Sequence, residues 1–381
     1  MIYFLIIFFI GCLILFGIDF YFFIVNRYCR FHIGRWDNDK QWEDAVIKKG
    51  LSWVKKTPTV KKTDNSRYVL FDMIHGEYRS QTIQSWQKGA LILGLQNIND
   101  KNSKVSIETA LNHLIDSTGN FKNNPVAVDC GLLSYAILKN SNPEKVKPAM
   151  DYAKNIIMNN IGKDEMIAYV NNPNSDERYV DTIGLTCPFL AYYSKVYNQP
   201  QIAKEAVKQL KLFSQYGLEP KSLLPNHAFS TQSKLPLGVY GWGRGVAWYV
   251  IGLIDSYFEI ECEEDKKWLT EQIKAVADKY KIYQREDGGF GYIFQMQNGY
   301  DSSATVVMAY FYKRCFEIFK DEEYMDISKK CLRKLKSVTR ITGAIDWCQG
   351  DTKGIGVFAQ TFDIMPFAQG FCMRSFMEED K

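Results

Sequence analysis

Val239-Tyr-Gly-Trp-Gly-Arg-Gly-Val-Ala-Trp-Tyr-Val-Ile-Gly-Leu-Ile-Asp-Ser-Tyr257 is the stretch on which the fold turns. It opens as a glycine-spaced turn, with Gly241, Gly243 and Gly245 alternating with Trp242 and Arg244. From Val246 to Ile254 it is apolar nearly all round, which predicts a helix buried on every side. Arg244 falls where that helix starts. A cation there opposes the helix dipole, so the position fits an incoming anion held by the guanidinium and the free N–H groups of the first turn. Trp248, one turn on, offers a flat apolar face of the kind sugar rings stack on. The competing reading of the same spacing is a buried Arg paired with an acid, beside a core Trp.

The helices downstream and upstream follow one rule. Nearly all-apolar segments begin at Ala127, Thr182, Val246, Ser302 and Asp363, and run to about 139, 197, 258, 319 and 377. Between them lie amphipathic, Lys/Glu-rich segments over about 146–159, 201–216, 264–283 and 322–338. Two further helices are expected at 85–98 and 106–116. Strand-like alternation is nearly absent. Wholly buried helices alternating with half-exposed ones predict two concentric rings, an all-α (α/α)6 barrel, whereas a simple bundle makes every helix amphipathic.

In such a toroid the turns that enter the inner helices converge on one mouth. Val126-Ala-Val-Asp129-Cys-Gly131, Arg178-Tyr-Val-Asp181-Thr-Ile-Gly184, Trp242-Gly-Arg244 and Tyr300-Asp301-Ser-Ser303 all occupy such turns. An Asp at a helix start is most often an N-cap. Several acids, an Arg and aromatics at one mouth also suit general acid/base chemistry on an acidic sugar.

Ile2 to Val25 is a hydrophobic run broken only by Asp19, long enough to span a bilayer. No Lys or Arg precedes it, and Arg27, Arg30, Arg35, Lys40, Lys48 and Lys49 follow it. The positive-inside rule then predicts a single-pass anchor with a cytoplasmic globular part. The expected organisation is an anchor over 1–25, a basic juxtamembrane segment and first helix over 26–65, and the barrel over 66–381. Forty-seven basic against 43 acidic residues, a net charge of +4, give no argument for nucleic acid as a partner. The nine cysteines are scattered and form no C-x-x-C pair, against a disulfide framework or a zinc site.

With these residues in place, the chain resembles the unsaturated glucuronyl and unsaturated rhamnogalacturonyl hydrolases of glycoside hydrolase families 88 and 105. The resemblance runs from about Ser85 to Arg374. It rests on Ser85-Trp-Gln-Lys-Gly89, Val128-Asp-Cys-Gly131, Val180-Asp-Thr-Ile-Gly184 followed by Pro188-Phe-Leu190, Trp242-Gly-Arg-Gly-Val-Ala-Trp248, Asp301-Ser-Ser-Ala304 and the Gln-Gly-Phe around Gly370. The resemblance implies an (α/α)6 barrel without metal or cofactor that hydrates a 4,5-unsaturated uronic acid at the end of an oligosaccharide. It implies Asp181 as the acid/base and Asp129 as a second carboxylate. It also implies His227, Arg244, Trp248, Trp242 and Trp86 as substrate-binding residues. The alternative is a membrane-tethered protein of surface-polysaccharide assembly that binds or modifies a nascent glycan, and a third reading is a helical scaffold.

Overall fold

The computed structural model describes residues 1–58, 81–98, 100–296 and 298–376. Six helices form a closed inner ring: α3 (Gln81–Gln96), α5 (Cys130–Lys139), α7 (Asp181–Tyr197), α9 (Gly243–Glu259), α11 (Ser302–Phe319) and α13 (Pro366–Ser375). Each packs on the next, and α13 returns to α3. Between them run the outer helices α4 (Lys101–Leu114), α6 (Pro143–Asn159), α8 (Pro200–Tyr216), α10 (Glu263–Tyr280) and α12 (Glu322–Ser337). A sixth, α2 (Asp39–Lys55), packs against α13, α3 and α4.

The sequence pattern explains the layers. All of α9 from Gly243 to Ser256 is buried, as is all of α5 from Cys130 to Leu138, so these helices meet neighbours on every side. Helix α8 buries only Ile202, Ala206, Val207, Gln209, Leu210 and Phe213, one stripe at helical spacing. Inner helices approach closely where they carry glycine. A Cβ on Gly184 of α7 would stand 2.5 Å from the Trp248 carbonyl oxygen of α9, so only glycine allows this contact.

The expected helices are all present, with several starts displaced by a few residues. Helix α4 begins at Lys101 rather than Ser106, because Asp100 accepts from the Asn102 and Ser103 amides. Its polar first turn carries no apolar period to reveal it. Pro143 and Pro366 begin α6 and α13, the position where a missing N–H costs nothing. Asp363 therefore precedes the last helix, and Met377 lies outside the described residues.

Two expectations are corrected. The helix at Asp39–Lys55, assigned to a juxtamembrane segment, is part of the barrel: Trp42, Val46, Trp53 and Val54 are buried in the common core. Its modest amphipathicity conceals four large anchors. The chain also holds strands. β1 (Glu177–Tyr179), β2 (Asn226–Ser230) and β3 (Pro236–Tyr240) form an antiparallel sheet, and β4 (Cys348–Gln349) pairs with β5 (Phe362–Asp363). They are too short to show alternation, and β2 is buried throughout, so no polar face marks it.

Ahead of the barrel stands α1 (Ile2–Phe31), 30 residues long. Its most apolar window has a mean hydropathy of 2.6 and is unburied. Among the described residues it is the one helix long and apolar enough to cross a bilayer, by length and composition. The stretch Lys55-Lys-Thr-Pro-Thr-Val-Lys-Lys62, whose sequence reads as a solvated connector, lies partly outside the described residues.

Candidate active site

Among the described residues, the segments joining an outer helix to the next inner helix lie at the end where the inner helices begin, and the sheet and the β4–β5 loop close over this mouth. A pocket of about 290 Å³ opens there, lined by Trp86, Asp181, His227, Arg244 and Trp248. Tyr169, Val170, Tyr179, Leu185 and residues 351–354 complete its wall. Five of the seven residues expected from sequence thus share one cavity.

Asp181 is the first residue of α7, held beside α9 by the Gly184 contact. It caps nothing: no cap hydrogen bond is made at this helix start, and its Oδ2 is buried without a hydrogen-bond partner. Two effects compete over its charge. Burial opposes ionisation, whereas the Arg244 guanidinium and a hydrogen bond from the Trp248 side chain favour it. Burial wins, and the Asp181 carboxyl is raised to about 7.

His227 comes from β2. Its Nε2 lies 3.8 Å from Asp181 Oδ2, beyond direct hydrogen-bond length. The Gly356 amide donates to its Nδ1 at 3.3 Å, so the ring proton sits on Nε2, facing Asp181. Burial, then the Arg244 charge, lower the imidazole to about 4, so it is neutral at pH 7. Phe358 stacks on one side of the ring at 5.5 Å, and Trp242 lies 4.5 Å away.

Arg244 reaches the pocket, but two of its nitrogens are engaged elsewhere. NH1 and NH2 donate to the carbonyl oxygens of Gln349 and Gly350, both at 2.7 Å. It therefore fastens the start of the β4–β5 loop, which carries Asp351 and Lys353 to the pocket wall. Trp242 does not line the cavity. It is buried behind His227, with its indole N–H on Gln349 Oε1 at 3.0 Å. Trp86 and Trp248 do line it, edge to face at 5.3 Å, backed by Phe367.

Asp129 stands at the start of α5 without capping it, and its buried Oδ2 is unpartnered. It forms no part of the pocket lining, and burial raises it to about 7. Tyr169 lies close enough to feel Asp181, Asp129 and Asp351 together; burial first and these charges next push its phenol up. Asp301, by contrast, is an ordinary cap. It accepts from the Ser303 amide at 2.8 Å and from the Gln349 amide at 3.0 Å, tying α11 to β4. Among the described residues no group of three His, Cys, Asp or Glu side chains is arranged to hold a metal ion.

Tyr169, Asp351 and Lys353 were not legible in the sequence. They sit on irregular segments with no period or motif, and only chain closure brings them to the mouth.

A closed double ring of helices, with two carboxyls that cap nothing and an edge-to-face tryptophan pair at its mouth, defines an α/α toroid. The chain belongs to glycosyl hydrolase family 88, whose model matches residues 59–373. It is a glycoside hydrolase by family. No curated protein matches it in sequence. Among solved structures, a family 105 glycoside hydrolase from C. acetobutylicum superposes with a TM-score of 0.68 at 16% identity, covering 83% of this chain and 98% of that one. An unsaturated glucuronyl hydrolase specific for heparin gives 0.65 at 17% identity, with 89% and 96% covered. The unsaturated glucuronyl hydrolase of a Bacillus species, responsible for glycosaminoglycan degradation, gives 0.62 at 16%, with 87% and 93% covered. At these identities the likeness is one of fold.

Proposed function

We propose that this protein removes an unsaturated uronic acid from an oligosaccharide by hydrating the 4,5 double bond, with Asp181 as the acid/base. The observation that carries this reading is the Asp181 carboxyl itself: one oxygen buried and unpartnered, the group raised to about 7, at a pocket walled by Trp86 and Trp248. A carboxyl poised near neutrality both gives and takes a proton efficiently.

Hydration of a vinyl ether needs both transfers. The neutral Asp181 acid delivers its proton to C4 of the unsaturated ring, and positive charge develops at C5. The carboxylate left behind takes a proton from the water that adds at C5. The hemiketal so formed opens and releases the remaining sugar. Neutral His227, with its Nε2–H toward Asp181, supplies a hydrogen-bond donor without adding a positive charge beside the developing cation. Asp129 is assigned the second carboxyl, supporting the Asp181 side of the pocket. Arg244 holds the β4–β5 loop over the ring, and the convergent N-termini of the inner helices favour the substrate's carboxylate.

The test is the absorbance of the conjugated unsaturated uronate. The full chain in detergent is mixed with lyase-generated disaccharides from glycosaminoglycan and pectin. Loss of absorbance with the native protein and none with Asp181→Asn supports the assignment. Equal loss with both overturns it.

A second reading is favoured by α1. Its 30-residue length and its unburied, strongly apolar window support a membrane-anchored protein whose glycan is handled at the membrane. Retention of the full chain in carbonate-washed vesicles tests the anchor.

A further inference from the structure

The helix α1 does not simply precede the barrel; it is fastened to the rim of the catalytic mouth. Arg30, near its end, grips the buried Asp346 through Nε at 2.6 Å and NH2 at 2.8 Å. The same NH2 donates to the Phe362 carbonyl at 3.0 Å, and the guanidinium lies over the Trp347 ring. Four residues on, the Gly34 amide donates to the Thr339 carbonyl. Asp346 and Phe362 flank the β4–β5 loop, whose residues 351–354 line the pocket. The apolar helix and the substrate loop therefore share one attachment.

The rim continues from that attachment as an apolar edge. Outside α1, the described residues include 11 large, exposed hydrophobic side chains, and nine of them stand on segments at the mouth end; Val105 and Tyr152, on outer helices, are the exceptions. Leu235 is 62% exposed and Val357 53%. These segments touch one another: Gly238 of the β2–β3 hairpin lies against Ile355 and Gly356, and the Gln295 side chain donates to the Tyr240 carbonyl. Leu235, Val239, Met296, Val357 and Trp347 thus follow one rim that ends at Arg30. Isolated exposed hydrophobics need no explanation, but a set carried on touching segments beside an unburied apolar helix does.

We infer that this rim is a bilayer-contact surface, and that the catalytic mouth opens against the membrane on which α1 is anchored. The inference rests on α1 being a membrane span. The occupant is a phospholipid bilayer rather than a protein, because the rim is continuous with the helix whose composition suits hydrocarbon, and Trp347 stacked with Arg30 is the aromatic–cation pairing suited to the lipid–water interface. It follows that the substrate is a glycan presented at the membrane surface.

The test uses the full chain in phosphatidylcholine vesicles, with Cys12→Ser, Cys29→Ser and Cys262→Ser removing the least buried native thiols. Single cysteines are introduced as Leu235→Cys, Val357→Cys and, at the far side, Val105→Cys, and each is labelled with an environment-sensitive nitrobenzoxadiazole dye. The expected result is a blue shift and at least twofold quenching by headgroup-region spin-labelled lipid at 235 and 357, with neither at 105. Carbonate-resistant retention in the vesicles is measured on the same samples. Retained protein with all three dyes in water overturns the rim while leaving the anchor standing. Protein lost from the vesicles overturns both.

Discussion

The Asp181 carboxyl and the His227 ring face each other across 3.8 Å, and burial drives both toward their neutral forms. The pair is therefore a proton donor beside a neutral hydrogen-bond donor, not an ion pair. On the proposed mechanism, an acid working from this state sets the pH profile. With Asp181 raised to about 7 and His227 lowered to about 4, kcat/KM should fall above pH 7 as the acid is lost and below pH 4 as the ring charges. Asp181→Asn should lower kcat by about 10²–10⁴-fold with an unchanged circular dichroism spectrum.

Arg244 acts on both groups through its charge, lowering Asp181 and His227 alike. In Arg244→Met both should move up, carrying the alkaline and the acid limbs of the profile to higher pH together. KM should also rise, because the carbonyls of Gln349 and Gly350 lose their donors and the loop over the pocket loosens. A profile with unmoved limbs would show that Arg244 does not act electrostatically.

Asp129 is buried and uncapped, and its carboxyl is raised to about 7. Its folded value lies above its unfolded one, so its contribution to stability is fully present below pH 4 and is lost as pH rises through 7. Asp129→Asn should therefore raise the melting temperature at pH 8 and leave it nearly unchanged at pH 4. Thermal unfolding at the two pH values decides this.

Gly184 lets α7 lie against the backbone of α9. Gly184→Ala places a methyl group 2.5 Å from the Trp248 carbonyl oxygen, which must shift by about an ångström. The expected cost is about 1–3 kcal/mol of overpacking, with a larger proportional loss of activity than of stability, since Asp181 and Trp248 are both displaced. Comparing melting temperature with kcat/KM separates the two.

At the opposite end of the barrel, Arg374 binds the buried Asp255 with two 2.8 Å hydrogen bonds, joined by the Tyr310 hydroxyl. Asp255→Asn leaves an uncompensated buried guanidinium. Its expected cost is about 3–5 kcal/mol, read as a lowered unfolding midpoint in the detergent-solubilised full chain, with the pH profile of activity unmoved.

The sequence by itself determined the double ring. Wholly apolar helices such as Val246–Ile254 have no stable place except between other helices, and stripes such as Ile202–Phe213 have none except on the outside. It also determined that Asp181, Arg244 and Trp248 share a mouth, because each stands at or near the start of an inner helix. Tertiary structure alone decided what each residue does there. An Asp at a helix start reads the same in sequence whether it caps, as Asp301 does, or caps nothing and keeps one buried oxygen unpartnered, as Asp181 and Asp129 do. The difference is one of desolvation, which depends on everything packed around the group. Likewise, the sequence offers Arg244 as an anion site, whereas the fold brings two backbone carbonyls from residues 349 and 350 against it. Such contacts join residues more than a hundred positions apart, at distances that local pattern does not encode.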